Sequence, residues 1–159
     1  MLLPHAATDD GVEPGRFILA PEPEHVSVRR LLYDGRGVAD LEGVDVAGHF
    51  QVDGVGWLVI TDFDCPFEEA VRVYLLDEGF RVLETLRFGR PYVPGMVQDV
   101  RRTGPRSVAF TFPGPELVHE VEVQPRQTGW SWNKTRWLLL TSRRQVDTAG
   151  AAETPAAIA

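Results

Sequence analysis

The sequence predicts a mainly β chain, an antiparallel β-barrel or β-sandwich of about eight to ten strands. Three observations predict it. Runs rich in Val, Ile, Leu, Phe and Thr recur at short spacing, Gly/Pro/Asp clusters separate them, and two pairs of neighbouring runs alternate apolar and polar residues with the period of a strand.

The elements follow in order. Arg16–Ala20 reads as a first strand, stopped by Pro21-Glu22-Pro23. Val26–Tyr33 is a second, closed by Asp34-Gly35, a dipeptide that suits the left-handed backbone of a tight hairpin turn. Val38–Val52 is weaker and, with Gly43 and Gly48 inside it, suits two short strands. Gly56–Thr61 is strongly apolar and β-branched. Val71–Asp77 and Phe80–Phe88 flank Glu78-Gly79; Val97–Arg102 is short and polar. Ser107–Phe112 and Leu117–Val123 flank Pro113-Gly114-Pro115-Glu116, and Trp130–Thr141 is the last long run. Residues 1–15 and 145–159 show no buried period and read as a disordered lead and an Ala-rich tail, which leaves 16–144 as one β domain.

One segment supports two readings. Asp64 can serve as an N-cap, Pro66 and Glu68 fit a first turn, and Gly79 fits a helix end, so at most one short helix is expected near 65–76. Against it, Val71-Arg72-Val73 alternates and the run to Leu83 carries a hairpin signal. The hairpin from Val71 onward is the preferred reading.

Alternation assigns faces. With Glu78-Gly79 as a two-residue turn, Leu75 faces Val82 and Val73 faces Glu84. One face is then Val71, Val73 and Leu75 against Phe80, Val82, Glu84, Leu86 and Phe88, apolar throughout except for Glu84. The other face, with Arg72, Tyr74, Leu76, Arg81, Leu83, Thr85 and Arg87, is expected to be mainly solvated. In the second hairpin Phe112 faces Leu117, and His119 is the one polar side chain on a face of Val108, Phe110, Phe112, Leu117, Val121 and Val123.

A carboxylate or an imidazole on an apolar row needs a partner or loses its charge. Glu84 and His119 are therefore the candidate catalytic residues: if the hairpins share a core and the two meet, they form an acid–base pair active near neutral pH. A place at a sheet end, at a bulge or on a backbone bond is the plainer reading for each, and a one-residue register slip would turn Glu84 outward. Trp130, Trp132, Lys134 and Arg136 share one face of the last run, an aromatic and cationic set that suits partner binding, and Tyr74 and Tyr92 are added as pocket-lining candidates.

Composition limits the functional classes. The formal charge is −7, against general nucleic-acid binding. Residues 1–80 hold 5 Arg and 16 Asp/Glu, and residues 81–159 hold 11 Lys/Arg and 7 Asp/Glu, so the first half is acidic and the second basic. Lys134 is the sole lysine. Cys65 is the sole cysteine, which excludes an intramolecular disulfide, and its acidic neighbours disfavour a thiolate. No apolar run reaches the length of a membrane helix and the start lacks a basic signal region, so a cytoplasmic location is expected. Asp62, Asp64, Glu68 and Glu69 lack the glycine-turned spacing of a calcium loop; no metal and no other cofactor is expected. His49 lies on a polar row, Asp45, Ala47, His49, Gln51 and Asp53, and is expected at the surface. Val59–Asp64 resembles the strand-then-Asp-x-Asp start of haloacid-dehalogenase-type phosphatases. That family also needs an α/β fold and a downstream lysine with an acidic pair, which this chain does not offer.

Two functions remain. The first is a non-enzymatic protein-binding module of inhibitor, immunity or adaptor type, whose acidic and basic halves suit electrostatic recognition. The alternative is a small-molecule-binding β-barrel enzyme of isomerase, cyclase or hydrolase type that uses Glu84 and His119. A homodimer formed through an edge strand is compatible with either.

Overall fold

The computed structural model describes residues 16–21, 27–63, 70–89, 95–125 and 137–145. Among the described residues it contains eleven strands and no helix: β1 (Phe17–Leu19), β2 (Val28–Tyr33), β3 (Arg36–Glu42), β4 (Asp45–Val52), β5 (Gly56–Phe63), β6 (Ala70–Asp77), β7 (Val82–Gly89), β8 (Gln98–Gly104), β9 (Ser107–Thr111), β10 (Leu117–Val123) and β11 (Leu138–Arg144). All pairs are antiparallel, in three meanders that follow chain order: β1-β2-β3, β4-β5-β6-β7 and β8-β9-β10-β11. The fold is thus mainly β, as the spacing of turns predicts. The weak stretch 38–52 does divide in two, and Ala70–Asp77 is strand; the part of the 65–76 segment before Ala70 lies outside the described residues. No helix among the described residues is long and apolar enough to cross a membrane.

The β4–β7 sheet is the middle layer. Its two inner strands are buried on both faces, which is why Gly56–Thr61 and Val71–Leu76 are buried without interruption. On one face Phe50, Leu58, Ile60, Val71, Val73 and Leu75 pack against Val108, Phe110, Phe112, Val121, Val123 and Leu138 of the β8–β11 sheet. This pair of sheets is tied at both margins. Arg102 of β8 donates to the Gln51 carbonyl of β4 at 2.7 Å, and Glu84 of β7 accepts from the start of β11. On the other face Trp57, Val59, Tyr74 and Leu76 pack against Phe17, Leu19, Leu31 and Leu41 of the β1–β3 sheet.

Two tight turns show how local sequence sets this frame. Asp34 and Gly35 both have positive φ, 48° and 80°, between paired Tyr33 and Arg36. That is the primed turn the Asp-Gly dipeptide favours. Gly56 has φ 145°, and a Cβ there would collide with the Leu76 carbonyl, so β5 can begin against β6 only with glycine.

The β6–β7 hairpin corrects the expected register. Its turn is Asp77-Glu78-Gly79-Phe80, closed by Phe80 N–H to the Asp77 carbonyl at 2.9 Å, and Phe80 itself adopts φ 64°. With an irregularity between Leu75 and Leu76, Leu75 faces Glu84 and Val73 faces Leu86. The two-residue displacement preserves parity, so Glu84 still points toward the β8–β11 sheet. Phe80 does not: it leaves that row and packs with Phe17 and Tyr33 under the β1–β3 sheet, at 6.1 and 5.1 Å between ring centroids. The Ser107–Val123 hairpin keeps its expected register, with Phe110 opposite His119 and Val108 opposite Val121.

The expectation of a mainly solvated second face on β6 is overturned. Arg72, Tyr74 and Leu76 are 4%, 6% and 0% exposed, because the β1–β3 sheet lies over them. Only the β7 side of that face, Leu83, Thr85 and Arg87, is exposed. His49 is overturned for the same reason. It is 4% exposed and meets the edge of Phe17 at 5.2 Å. A polar alternation row looks outward only if no further layer covers it.

Candidate functional site

Glu84 and His119 both face the space between the β4–β7 and β8–β11 sheets, but the structure does not bring them together. Glu84 Oε2 accepts the backbone N–H groups of Trp137 and Leu138, the second at 3.0 Å. Its carboxylate thus satisfies two donors that open β11. His119 is on β10, opposite Ser142, which lies further along β11. From Leu138 to Ser142 is four residues of extended chain, about 13 Å.

His119 is 7% exposed and packs on Phe110 at 5.6 Å. Its Nε2 lies 2.8 Å from the Phe112 carbonyl and its Nδ1 lies 2.8 Å from Ser142 Oγ. A carbonyl can only accept, so Nε2 carries the proton and, in the neutral ring, Nδ1 accepts from the serine hydroxyl. The arrangement fixes one tautomer and joins β9, β10 and β11 at one end of the sheet. Ser142 is exposed.

Tyr74 lies in the other interface. Its hydroxyl donates to the Glu42 carbonyl at 3.2 Å and accepts from the Glu42 N–H at 3.1 Å, which pins the end of β3 to β6. Burial pushes its pKa above the usual 10.0. Tyr92, Trp130, Trp132 and Arg136 lie outside the described residues, as do Cys65, Asp64, Glu68 and Glu69. Asp62, from the same acidic stretch, accepts from the Val97 N–H at 3.4 Å.

A cluster that the alternation argument assigned to solvent stands around the β3–β4 turn. Arg72 Nη2 meets Glu42 Oε2 at 2.6 Å, and its guanidinium lies over the Phe63 ring at 5.2 Å. The Arg72 side chain is 5% exposed and that of Glu42 is 41% exposed. Thr61 Oγ1 donates to the Glu42 carbonyl at 2.8 Å. Arg29 reaches the same turn from β2, with Nη1 donating to the Val44 carbonyl at 3.2 Å. Arg87 stands directly opposite Arg72 across the β6–β7 pair and is exposed. Its charge, like that of Arg72, is felt at the Tyr74 hydroxyl, where both favour the phenolate against the larger effect of burial.

Two nitrogens in this cluster, Arg72 Nη1 and Arg29 Nε, are buried with no hydrogen-bond partner among the described residues. A buried guanidinium N–H without an acceptor is costly, and such groups are normally satisfied. The sequence signal that would have found the cluster is slight. Tyr74 and Leu76 interrupt the polar row of Arg72, Thr85 and Arg87, as expected of a surface that a further layer covers.

No family model, curated protein or solved structure matches this chain. The residues and their geometry are therefore the basis of the functional reading.

Proposed function

We propose that this chain is a non-enzymatic protein-binding module of inhibitor, immunity or adaptor type, which recognises an acidic, extended segment of another protein at β11. The observation that carries the reading is the character of that strand. It is the terminal strand of its sheet, and Thr141, Ser142, Arg143 and Arg144 are exposed in sequence while Leu139 is 46% exposed. Two adjacent arginines and no acid on a sheet edge favour an incoming strand that carries carboxylates, because main-chain pairing supplies affinity and the charges select the partner. The separate engagement of Glu84 and His119 by backbone also favours a binder over chemistry that needs the two together.

Titration of the full chain with extended peptides that alternate Glu with Val, and with their Lys counterparts, tests the proposal. The acidic series should bind, with new amide protection along 139–144, and a double R143E/R144E variant should bind at least tenfold more weakly. Equal binding of both series, or binding unchanged in that variant, overturns it. A dimeric mass abolished by the same variant would assign the edge to a second copy and overturn it too.

One observation favours the alternative of a hydrolase: the exposed Ser142 hydroxyl on a tautomer-fixed His119. This reading predicts turnover of simple esters that is lost in Ser142→Ala. It fails if wild type and S142A hydrolyse them at the same rate.

A further inference from the structure

We infer that the arginine cluster at the β3–β4 turn is an oxyanion-binding site, formed by Arg72, Arg87 and Arg29 and suited to a phosphate or carboxylate group. The inference is independent of partner binding at β11. Three features support it.

The first is charge. Arg72 pairs with Glu42, Arg29 reaches the turn through the Val44 carbonyl, and Arg87 stands across from Arg72, so three arginines gather here while, among the described residues, only Arg72 is ion-paired. The second is orphaned donors. Arg72 presents Nη1 and Arg29 presents Nε to the interior with no acceptor among the described residues. Only one arm of the Arg72 fork is used by Glu42, and a fork half occupied by one carboxylate suits a second planar oxyanion on its other arm. The third is the placement of Arg87. Like charges directly opposite on neighbouring strands repel, and nothing among the described residues forms an ion pair with Arg87. An anion shared between Arg72 and Arg87 turns that repulsion into a two-sided clamp.

The surroundings suit the role. Phe63 lies against the Arg72 guanidinium, while Glu42, anchored through its backbone by Tyr74 and Thr61, sets the fork's direction. Gly43, with φ 149° and no room for a Cβ beside Thr61, lets the chain turn between Glu42 and Val44 so that both arginines reach it. Arg87 is the exposed member, and the ligand enters on its side.

The test uses the full chain and two probes, inorganic phosphate and succinate, each titrated calorimetrically at constant ionic strength held with chloride. Arg72→Lys is informative but endangers a buried position. Arg87→Gln on the exposed strand is therefore the main variant, with Arg101→Gln on β8 as a control for any exposed arginine. Saturable binding of at least one probe is expected, weakened tenfold or more in R87Q and unchanged in R101Q. The guanidinium N–H resonances of Arg72 should shift on saturation. Phosphate alone binding assigns a phosphorylated ligand, succinate alone a carboxylate, and both a general oxyanion site. No saturation by either, or equal affinity in wild type and R87Q, overturns the inference.

Discussion

The middle sheet has two interfaces, built by different means. Toward β8–β11 the contact is aliphatic and phenylalanine-rich, and its polar residues, Glu84 and His119, are bound at the rim to backbone groups. Toward β1–β3 it is aromatic, with Phe17 and Tyr33 in contact with each other and each with Trp57 and Phe80, between 4.8 and 6.1 Å, and it holds Arg72 and His49 inside. The first interface excludes polar groups and borders them. The second includes them and leaves some donors unmet. A layer that encloses partly satisfied charge is a poor choice for stability alone, which is why the second interface attracts the ligand argument.

Phe110→Ala should destabilise the chain by about 4 kcal/mol, whereas Leu41→Ala in the second interface should remove about 3 kcal/mol. Equilibrium urea unfolding of both variants checks the order, and a larger loss for Leu41→Ala would reverse the ranking of the layers. Glu84→Ala leaves two backbone donors of β11 without an acceptor and should remove about 3 kcal/mol, while Glu84→Gln retains an oxygen and should recover most of it. An undiminished unfolding midpoint in Glu84→Ala would show that the carboxylate does not hold the two sheets.

In the second interface, Glu42→Gln leaves the buried Arg72 charge without its counter-ion. The loss should be about 2 kcal/mol, below that of a fully buried pair because Glu42 is partly wet. Thermal unfolding measures it, and a neutral result would mean that Arg72 rests on Phe63 alone.

Titration sharpens the contrast further. The Tyr74 phenol has its pKa raised by burial, so above pH 10 the unfolded chain releases a proton that the folded chain retains. Stability therefore falls as pH rises from 10 until the folded phenol also ionises. Tyr74→Phe should flatten that alkaline decline, as followed by unfolding at pH 9 to 11.

The smallest effect belongs to the β6–β7 turn. The Arg81 backbone N–H, followed by its guanidinium and the Gly79 N–H, holds the Asp77 carboxyl below the ordinary 3.8. A depressed carboxylate contributes above its unfolded pKa and loses that contribution as pH falls through the folded one. Asp77→Asn should therefore remove a small part of the acid sensitivity below pH 4. An identical acid profile in D77N would leave the turn outside the acid response.

Legibility in the sequence followed locality. Asp34-Gly35 announces a primed turn because backbone conformation there depends on two residues. The pairing of Ser107–Thr111 with Leu117–Val123 is legible because a short connection leaves one register that keeps both apolar rows together. In the β6–β7 hairpin the inward direction of Glu84 is legible but neither its cross-strand partner nor the place of Phe80 is, since a left-handed phenylalanine and an irregularity at Leu75/Leu76 carry no compositional mark. Of the candidate site, the inward direction of Glu84 and His119 was legible, but their separation along β11 was not.

The alternation of residues by itself determined an antiparallel β chain, most of its strand limits and which side chains leave each strand together, because those depend on a period of two and on turn chemistry. Only the tertiary structure decided that the β1–β3 sheet lies over the middle one. That single placement buried Arg72, Tyr74 and His49. It depends on contacts between residues distant in the chain, and a polar row looks the same in sequence whether water or another sheet covers it.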